Sequence, residues 1–265
     1  MSDPRPIGVF DSGVGGLTVV RRLREEFPRE SFLFLGDTAR LPYGTKSPET
    51  VERYSLANVG FLLARDVKFL VVACNTASAL ALPAIEAISP VPVVGVIEPG
   101  AAAAVATGRR RIGVIGTEAT IASGAYARAI ARRAPDREVV ARACPLFVPL
   151  AEEGWIDNAV ARETAEIYLS PFRADAVEAL VLGCTHYPLL KGTIARTLPD
   201  VALVDSADAV CDAVRPLLTP ARRSEKESEY HVCVTDAAQR FRTVAERFLG
   251  RPIDRLEHVD ITGHL

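Results

Sequence analysis

The sequence predicts an α/β protein made of two pseudo-symmetric, doubly wound domains with mainly parallel sheets. Short apolar runs rich in β-branched residues alternate with longer amphipathic segments, which is typical of parallel strands covered by helices. The same alternation restarts near residue 111, and two short motifs of the first half return in the second. The length of 265 residues leaves room for two such units, each with its own core.

The first half supplies four predicted strands and the helices between them. The strands are Ile7–Phe10, Ser31–Leu35, Phe69–Ala73 and Val93–Ile97, and none contains a charged residue. The amphipathic segments are Leu17–Glu26, Pro48–Arg65 and Ala77–Ile88. Strands that alternate with helices in this way predict parallel pairing.

The second half repeats this pattern. Its predicted strands are Arg111–Ile115, Glu138–Ala143, Ala179–Leu182 and Ala202–Val204. The segment that begins Ile7-Gly-Val matches one that begins Ile112-Gly-Val, and the run that ends in Cys74 matches the run that ends in Cys184. The matched Ile and Cys are 67 residues apart in the first half and 72 in the second. Two matched pairs at nearly equal separation favour a duplicated domain.

The tail does not fit a simple division into two halves. A helix is predicted over Ala207–Leu218, followed by a charged, proline-containing loop over Pro220–Glu229. The sequence then predicts a strand at Tyr230–Val234, a helix at Ala237–Leu249 and a last short strand near Pro252–Val259. We expect the tail to pack back on the first unit.

Composition and charge argue against several classes of protein. Apolar residues make up 49% and charged residues 24% of the chain, as in ordinary globular proteins. The net charge of −2 lacks the basic excess of a general nucleic-acid binder. The longest uncharged stretch, Phe69 to Ile85, is too short and too polar to span a bilayer. Since the start has no apolar segment and the five cysteines are scattered, we expect a reduced cytoplasmic protein that binds neither nucleic acid nor membranes.

Two of the cysteines, Cys74 and Cys184, stand directly after predicted strands. The carboxyl ends of parallel strands form the ligand crevice of an open sheet, so both thiols are expected where a substrate binds. A helix that begins just after each would lower the thiol pKa from about 8.5. The alternative is that both are buried as small hydrophobic residues. Cys144, Cys211 and Cys233 lack this context, and we assign them to packing.

Two thiols on facing domains suit a racemase that works without a cofactor. Such an enzyme removes a proton from one face of a carbon atom and returns one to the other face, which requires two acid–base groups. Asp11 and His186 stand where they can hold or relay protons beside the thiols. The alternatives are that His186 is a structural histidine and that Asp11 only caps the following helix.

Two turns in the first half offer groups for binding a small anion. Asp11–Gly16 is a glycine-rich turn between a strand and a helix, and its backbone N–H groups suit a carboxylate. Its spacing satisfies neither the G-x-G-x-x-G dinucleotide motif nor the P-loop, whose lysine is missing. The turn over Asp37–Gly44 either uses Tyr43 as the wall of a small pocket or is an ordinary loop. Neutral hydrogen-bonding groups beside the thiols come from Asn75, Thr76 and Thr185.

Several segments of the chain resemble the signature segments of glutamate racemases, within the aspartate/glutamate racemase family. They occur in the family's order and spacing, and the set is specific although each segment is short. The segments are Phe10–Thr18, Gly36–Gly44, Ala73–Ser78, Gly95–Pro99, Ile115–Thr120, Val148–Gly154 and Leu182–Pro188. The tail after residue 220 is the least diagnostic part.

This resemblance implies a cofactor-independent enzyme that interconverts L- and D-glutamate and supplies D-glutamate for peptidoglycan. It implies two α/β domains with the active site in the cleft between them. We therefore expect residues 1–98 and 208–265 to form the first domain and residues 99–207 the second. Neither a metal nor a cofactor is expected, L- or D-glutamate is the expected small-molecule partner, and the resemblance leaves a homodimer open.

The resemblance also implies roles for individual residues. Cys74 would be the base that acts on D-glutamate, with Asp11 assisting it. Cys184 would be the base that acts on L-glutamate, with His186 assisting it.

An acidic residue near the second thiol is also implied. It is Glu153 or its neighbour Glu152, and the catalytic set is written here with Glu153. The residues implied to bind the substrate are Asp11, Ser12, Pro42, Tyr43, Gly44, Asn75, Thr76, Thr185 and His186.

Three other functions stay open from the sequence. Aspartate racemases and related two-cysteine racemases share the chemistry, although Asp11-Ser12 and Pro42-Tyr43-Gly44 favour glutamate. A small-molecule binding module without activity is the second alternative, since open α/β folds host many functions. A nucleotide-binding role is the third, and it is weaker because neither phosphate-binding motif is complete.

Overall fold

Two parallel sheets form the framework of the protein. The computed structural model describes residues 3–219, 228–236, 238–253 and 255–261. Within them, the strands are β1 (Ile7–Asp11), β2 (Phe32–Gly36), β3 (Phe69–Val72), β4 (Val93–Gly95), β5 (Arg111–Gly116), β6 (Glu138–Ala143), β7 (Ala179–Gly183), β8 (Ala202–Asp205), β9 (Tyr230–Val234) and β10 (Arg255–His258). The first sheet has the order β10-β9-β2-β1-β3-β4 and the second has the order β6-β5-β7-β8. Every neighbouring pair is parallel, which confirms the predicted fold class.

Helices connect most of the consecutive strands. They are α1 (Leu17–Glu26), α2 (Pro48–Leu63), α3 (Asn75–Leu80), α4 (Leu82–Ile88), α5 (Ile97–Ala106), α6 (Glu118–Ala122), α7 (Ala125–Arg133), α8 (Phe147–Glu153), α9 (Ala159–Ala174), α10 (Lys191–Thr197), α11 (Ser206–Val214) and α12 (Ala238–Leu249). Short 3₁₀ turns lie at Tyr43–Thr45, Tyr187–Leu190 and Arg215–Leu217. Among the described residues, none of these helices has both the length and the apolar composition that crossing a bilayer requires.

The boundaries of some elements differ from the prediction. The single helix expected over Ala77–Ile88 is two helices, because Pro83 has no N–H to continue the hydrogen-bond ladder and lies in the first turn of α4. The fourth strand ends at Gly95 rather than Ile97, and Ile97 begins α5. β6 is an edge strand, and its residues are half-buried or exposed.

The tail strands extend the first sheet. β9 pairs with β2, and β10 pairs with β9. Helix α12 packs against α1 of the first half. Residues 220–227 of the predicted loop, and Ala237 at the predicted helix start, lie outside the described residues. The domain boundaries after residues 98 and 207 stay a prediction.

Close contacts join the first turn of α1, and the turn before it, to the loop after β7. Thr18 Oγ1 lies 2.9 Å from the carbonyl oxygen of Thr185. A Cβ atom on Gly15 would lie 2.2 Å from Thr185 Oγ1 and 2.4 Å from His186 Nδ1, so only glycine fits there. The turn of the first half and the loop of the second half are therefore fixed against each other.

Candidate active site

A cavity of about 270 Å³ lies at the carboxyl ends of strands from both sheets. Its size is near the lower end of the range for small-molecule sites, about 300–1,000 Å³. Most of its lining residues belong to loops that follow β1, β2, β3, β5 and β7. The predicted residues among them are Ser12, Pro42, Tyr43, Gly44, Cys74, Asn75, Thr76, Cys184, Thr185 and His186. The cavity thus brings both predicted thiols to one site.

Cys74 follows β3 and directly precedes α3, as the sequence predicted. Its Sγ donates to Ser12 Oγ at 3.7 Å. Burial raises the pKa of the Cys74 thiol to about 12, and the nearby charge of Asp11 adds to the rise. The expectation of a lowered pKa is wrong for this cysteine, because the cost of burying a thiolate outweighs the effect of the short helix. Without a ligand, Cys74 is therefore a protonated thiol.

Cys184 stands beside a histidine and a carboxylate. Its Sγ lies 3.9 Å from His186 Nδ1, and His186 Nε2 lies 3.0 Å from Glu152 Oε1. Burial by itself would lower the pKa of His186, but its hydrogen bonds to Cys184 and Glu152 raise it to about 10. The imidazole is therefore protonated at neutral pH and places a positive charge beside the Cys184 thiol. The helix expected just after Cys184 begins later, at Lys191.

The acidic residue beside His186 is Glu152 and not Glu153, which corrects the predicted catalytic set. Both belong to α8 (Phe147–Glu153), in which consecutive residues point about 100° apart. Val148 and Glu152, one helical turn apart, line the cavity. Glu153 points to solvent.

Asp11 is fully buried at the end of β1. Its Oδ2 accepts from the backbone N–H of Gly13 at 3.0 Å, and its Oδ1 accepts from the Thr185 hydroxyl at 3.4 Å. Burial raises the pKa of Asp11, although the neighbouring His186 opposes the rise. The N-cap position of α1 is Gly16 rather than Asp11, although the Asp11 carboxylate also accepts from the backbone N–H of Gly16. Because the backbone N–H of Gly13 already donates to Asp11, only other backbone N–H groups of this turn could bind a substrate carboxylate.

The turn after β2 forms one wall of the cavity. Tyr43 is buried, its hydroxyl donates to Asp37, and it accepts from Asn58 Nδ2 at 3.0 Å. Burial raises the pKa of Tyr43 well above its ordinary value, with the charge of Asp37 as a further cause. A Cβ atom on Gly44 would lie 2.7 Å from Thr117 Cβ, so glycine is needed where this turn meets the second half. The ring of Tyr43, rather than its hydroxyl, is thus free to face a ligand.

The polar residues after Cys74 reach across to the second half. Asn75 Nδ2 donates to the Tyr126 hydroxyl at 2.9 Å. Thr76 Oγ1 lies 3.0 Å from Thr117 Oγ1 and 3.2 Å from Thr120 Oγ1. These contacts hold both neutral groups in place beside the first thiol.

The sequence interpretation missed several cavity residues. Thr117 and Glu118 follow β5 and line the cavity. The internal repeat could have predicted Thr117 as a cavity residue, because the alignment of Ile7 with Ile112 also aligns Ser12 with Thr117. The remaining missed residues come from flanking loops and from α8: Gly13, Leu41, Thr45, Pro145, Val148 and Pro149.

Two thiols at equivalent strand ends line one cavity at the carboxyl ends of two parallel sheets. The chain belongs to the Asp/Glu/hydantoin racemase family, whose model matches residues 7–214. This confirms the resemblance inferred from the sequence.

Relatives match the chain over nearly its full length. The glutamate racemase of Geobacter metallireducens is 54% identical over 262 residues, which is 97% of each chain. The structure of glutamate racemase from Francisella tularensis in complex with D-glutamate has a TM-score of 0.93 at 40% identity, covering 98% of this chain and 99% of that one. The Thermus thermophilus glutamate racemase in complex with β-chloro-D-alanine has a TM-score of 0.90 at 48% identity, covering 99% and 100%.

Proposed function

We propose that the chain interconverts L- and D-glutamate by moving the Cα proton between Cys74 and Cys184, with no cofactor. The observation that carries this proposal is that both thiols line one cavity while their surroundings differ. Membership of the racemase family and full-length similarity to glutamate racemases support glutamate as the substrate. The D-glutamate formed would supply peptidoglycan synthesis in the cytoplasm.

Conversion of L-glutamate begins at the second thiol. The His186 imidazolium, held by Glu152, stabilises Cys184 as the thiolate that removes the Cα proton. The electron pair left on Cα is delocalised into the α-carboxylate. Cys74, which is protonated because it is buried, gives its proton to the opposite face of Cα. D-glutamate leaves behind a Cys74 thiolate and a Cys184 thiol, and conversion of D-glutamate runs the same steps in reverse.

The other cavity residues are proposed to bind and orient the substrate. Asp11 is proposed to assist Cys74, since its charge lies near that thiol and its oxygens are fixed by Gly13 and Thr185. Hydroxyl and amide groups are suited to the two carboxylates and the ammonium group of glutamate. These groups belong to Ser12, Asn75, Thr76 and Thr185, and the turn of Pro42, Tyr43 and Gly44 walls the cavity beside them.

The proposal is tested by separating the two proton transfers. A glutamate analogue with chloride on Cβ loses the chloride once its Cα proton is removed, because the electron pair forms a Cα–Cβ double bond. This reaction needs only one thiol. Cys74→Ser should therefore stop racemisation but still eliminate chloride from the L-form, and Cys184→Ser should do so from the D-form.

The control is Cys211→Ser, since this buried thiol does not line the cavity and should leave both reactions nearly unchanged. The two-base proposal fails if both cavity variants favour the same enantiomer, or if either still racemises glutamate near the parent rate.

Two further measurements distinguish the alternatives. Circular dichroism compares the turnover of L-glutamate with that of L-aspartate, and faster turnover of aspartate would contradict the proposed substrate. Incubation with L-glutamate in D₂O, followed by NMR of the α-proton, tests for activity itself. An absence of exchange would favour a binding module.

A further inference from the structure

Three side chains of types that can bind a metal ion lie close together on the tail strands of the first sheet. His231 and Cys233 belong to β9, and Glu257 belongs to β10. Side chains two residues apart on a strand point to the same face, and the register pairs Cys233 with Glu257. The parallel pairing of β9 with β10 therefore brings an imidazole, a thiol and a carboxylate to one face of the sheet.

The three donor atoms are close enough to share one ion. His231 Nε2 lies 3.7 Å from Cys233 Sγ and 2.8 Å from Glu257 Oε2, and all three atoms lie within 4.8 Å of one another. In a tetrahedral zinc site with ordinary bond lengths, such donors are separated by about 3.3–3.6 Å. Side-chain adjustments of about 1 Å would complete the geometry.

We propose that His231, Cys233 and Glu257 bind one divalent transition-metal ion of the zinc type, with water in the fourth position. Thiolate and imidazole ligands select such ions over Mg²⁺ and Ca²⁺, which prefer oxygen. His231 and Glu257 line a surface cavity, through which the ion and its water have access.

Metal binding must release the proton of the Cys233 thiol to solvent, since the thiolate is the form that ligates metal ions. His231 would bind through Nε2, the ring nitrogen that faces the other two donor atoms.

A second contact orients the carboxylate. Arg65 Nη2 lies 3.4 Å from Glu257 Oε1, which leaves Oε2 facing His231. The positive charge of Arg255 lies near His231 and should weaken the binding of a metal cation at this site. The expected consequence of metal binding is a link between β9 and the edge strand β10. None of the three ligands lines the catalytic cavity, so the racemase site does not depend on the ion.

The test uses Co²⁺ on the full-length protein, because cobalt bound to a thiolate has a charge-transfer absorption band. We expect a band that saturates at one equivalent and is displaced by Zn²⁺. The band should be lost in Cys233→Ser and kept in Cys184→Ser, whose thiol also lies beside a histidine, and in Cys211→Ser. Absence of a band, persistence in Cys233→Ser, or loss in Cys184→Ser would overturn the proposal.

A second set of variants tests the metal site without replacing the buried Cys233. Glu257→Gln should weaken Co²⁺ binding by at least about 10–100-fold, the range for losing even an outer partner. Glu229→Gln is the matched control, since Glu229 lines the same cavity but is not a ligand. Arg255→Gln should tighten binding. Equal effects of the two glutamate variants would overturn the assignment, as would the failure of Zn²⁺ to raise the thermal unfolding temperature of the parent protein.

Discussion

Replacing Glu152 with glutamine tests whether a charged His186 activates Cys184. His186 Nε2 lies 3.0 Å from Glu152 Oε1. A hydrogen bond to a charged group contributes about 1.5–3 kcal/mol. The Glu152 side chain is 37% exposed, so water screens part of this interaction and leaves about 1.4 kcal/mol. Since about 1.4 kcal/mol corresponds to one decade in a protonation equilibrium, the pKa of His186 should fall from about 10 to about 9.

The assay has to follow one proton transfer at a time. Enantiomers have equal free energies, so kcat/KM for the two directions of racemisation must stay equal in every variant. Elimination of chloride from the L- and D-forms of the Cβ-chlorinated analogue avoids this constraint. In Glu152→Gln, we expect elimination from the L-form at pH 10 to fall about fivefold, because about half of His186 is then charged in the parent and about a tenth in the variant, while elimination from the D-form should change by less than about twofold.

The pH dependence gives a second readout. The imidazolium is present below the pKa of His186 and is lost as pH rises through it. The alkaline loss of elimination from the L-form should therefore move from about pH 10 in the parent to about pH 9 in the variant.

Glu153→Gln is the matched control, because its side chain is exposed one position further along α8. It should leave both eliminations and the pH profile unchanged. Equal effects of Glu152→Gln and Glu153→Gln, or a loss confined to the D-form, would refute this account of His186.

Three further predictions concern the frame of the site and its chemistry. Gly15→Ala should reduce racemisation by at least about 100-fold, because its methyl group would lie 2.2 Å from Thr185 Oγ1, whereas Gly13→Ala, with its nearest side-chain atom at 3.6 Å, should keep most activity. Lys68→Met should lower the free energy of unfolding by about 3 kcal/mol in urea titrations, because it breaks the buried ion pair with Glu30; a smaller loss in the double variant with Glu30→Gln would support this cause. Exhaustive chelation should leave the rate of racemisation unchanged and the purified protein should show no cofactor absorbance; a loss of activity that added metal restores would contradict the proposed two-thiol mechanism.

The sequence was sufficient to predict the sheets, because buried parallel strands carry their signal in the chain itself. Runs such as Phe69–Val72 are wholly apolar, and every residue in that strand is buried. Boundaries were harder to predict, since they depend on local competition: Pro83 divides a helix that hydrophobic spacing alone would continue. The position of β9 next to β2 depends on pairing between residues about 200 positions apart, which no local pattern encodes.

The sequence predicted both thiols and many of their neighbours in the cavity, but it missed Thr117, Glu118 and several residues of flanking loops and α8, and it did not predict the electrostatics. Strand ends and the repeat located both thiols. The pKa of Cys74 could not be predicted, because it depends on burial by distant residues rather than on the helix that follows. The choice between Glu152 and Glu153 depends on how α8 is rotated about its axis, which its packing decides.

The two halves of the chain share a fold but surround their cysteines with different residues. Cys74 and Cys184 occupy equivalent positions, but two residues later the first half has Thr76 and the second has His186. Only the second thiol therefore has a partner that carries a positive charge. In the proposed conversion of L-glutamate, Cys184 beside the charged His186 would remove the proton and Cys74 would return one. Under the same proposal, conversion of D-glutamate would begin with the proton on Cys184 instead of Cys74, so the two directions would use different protonation states of the same two residues.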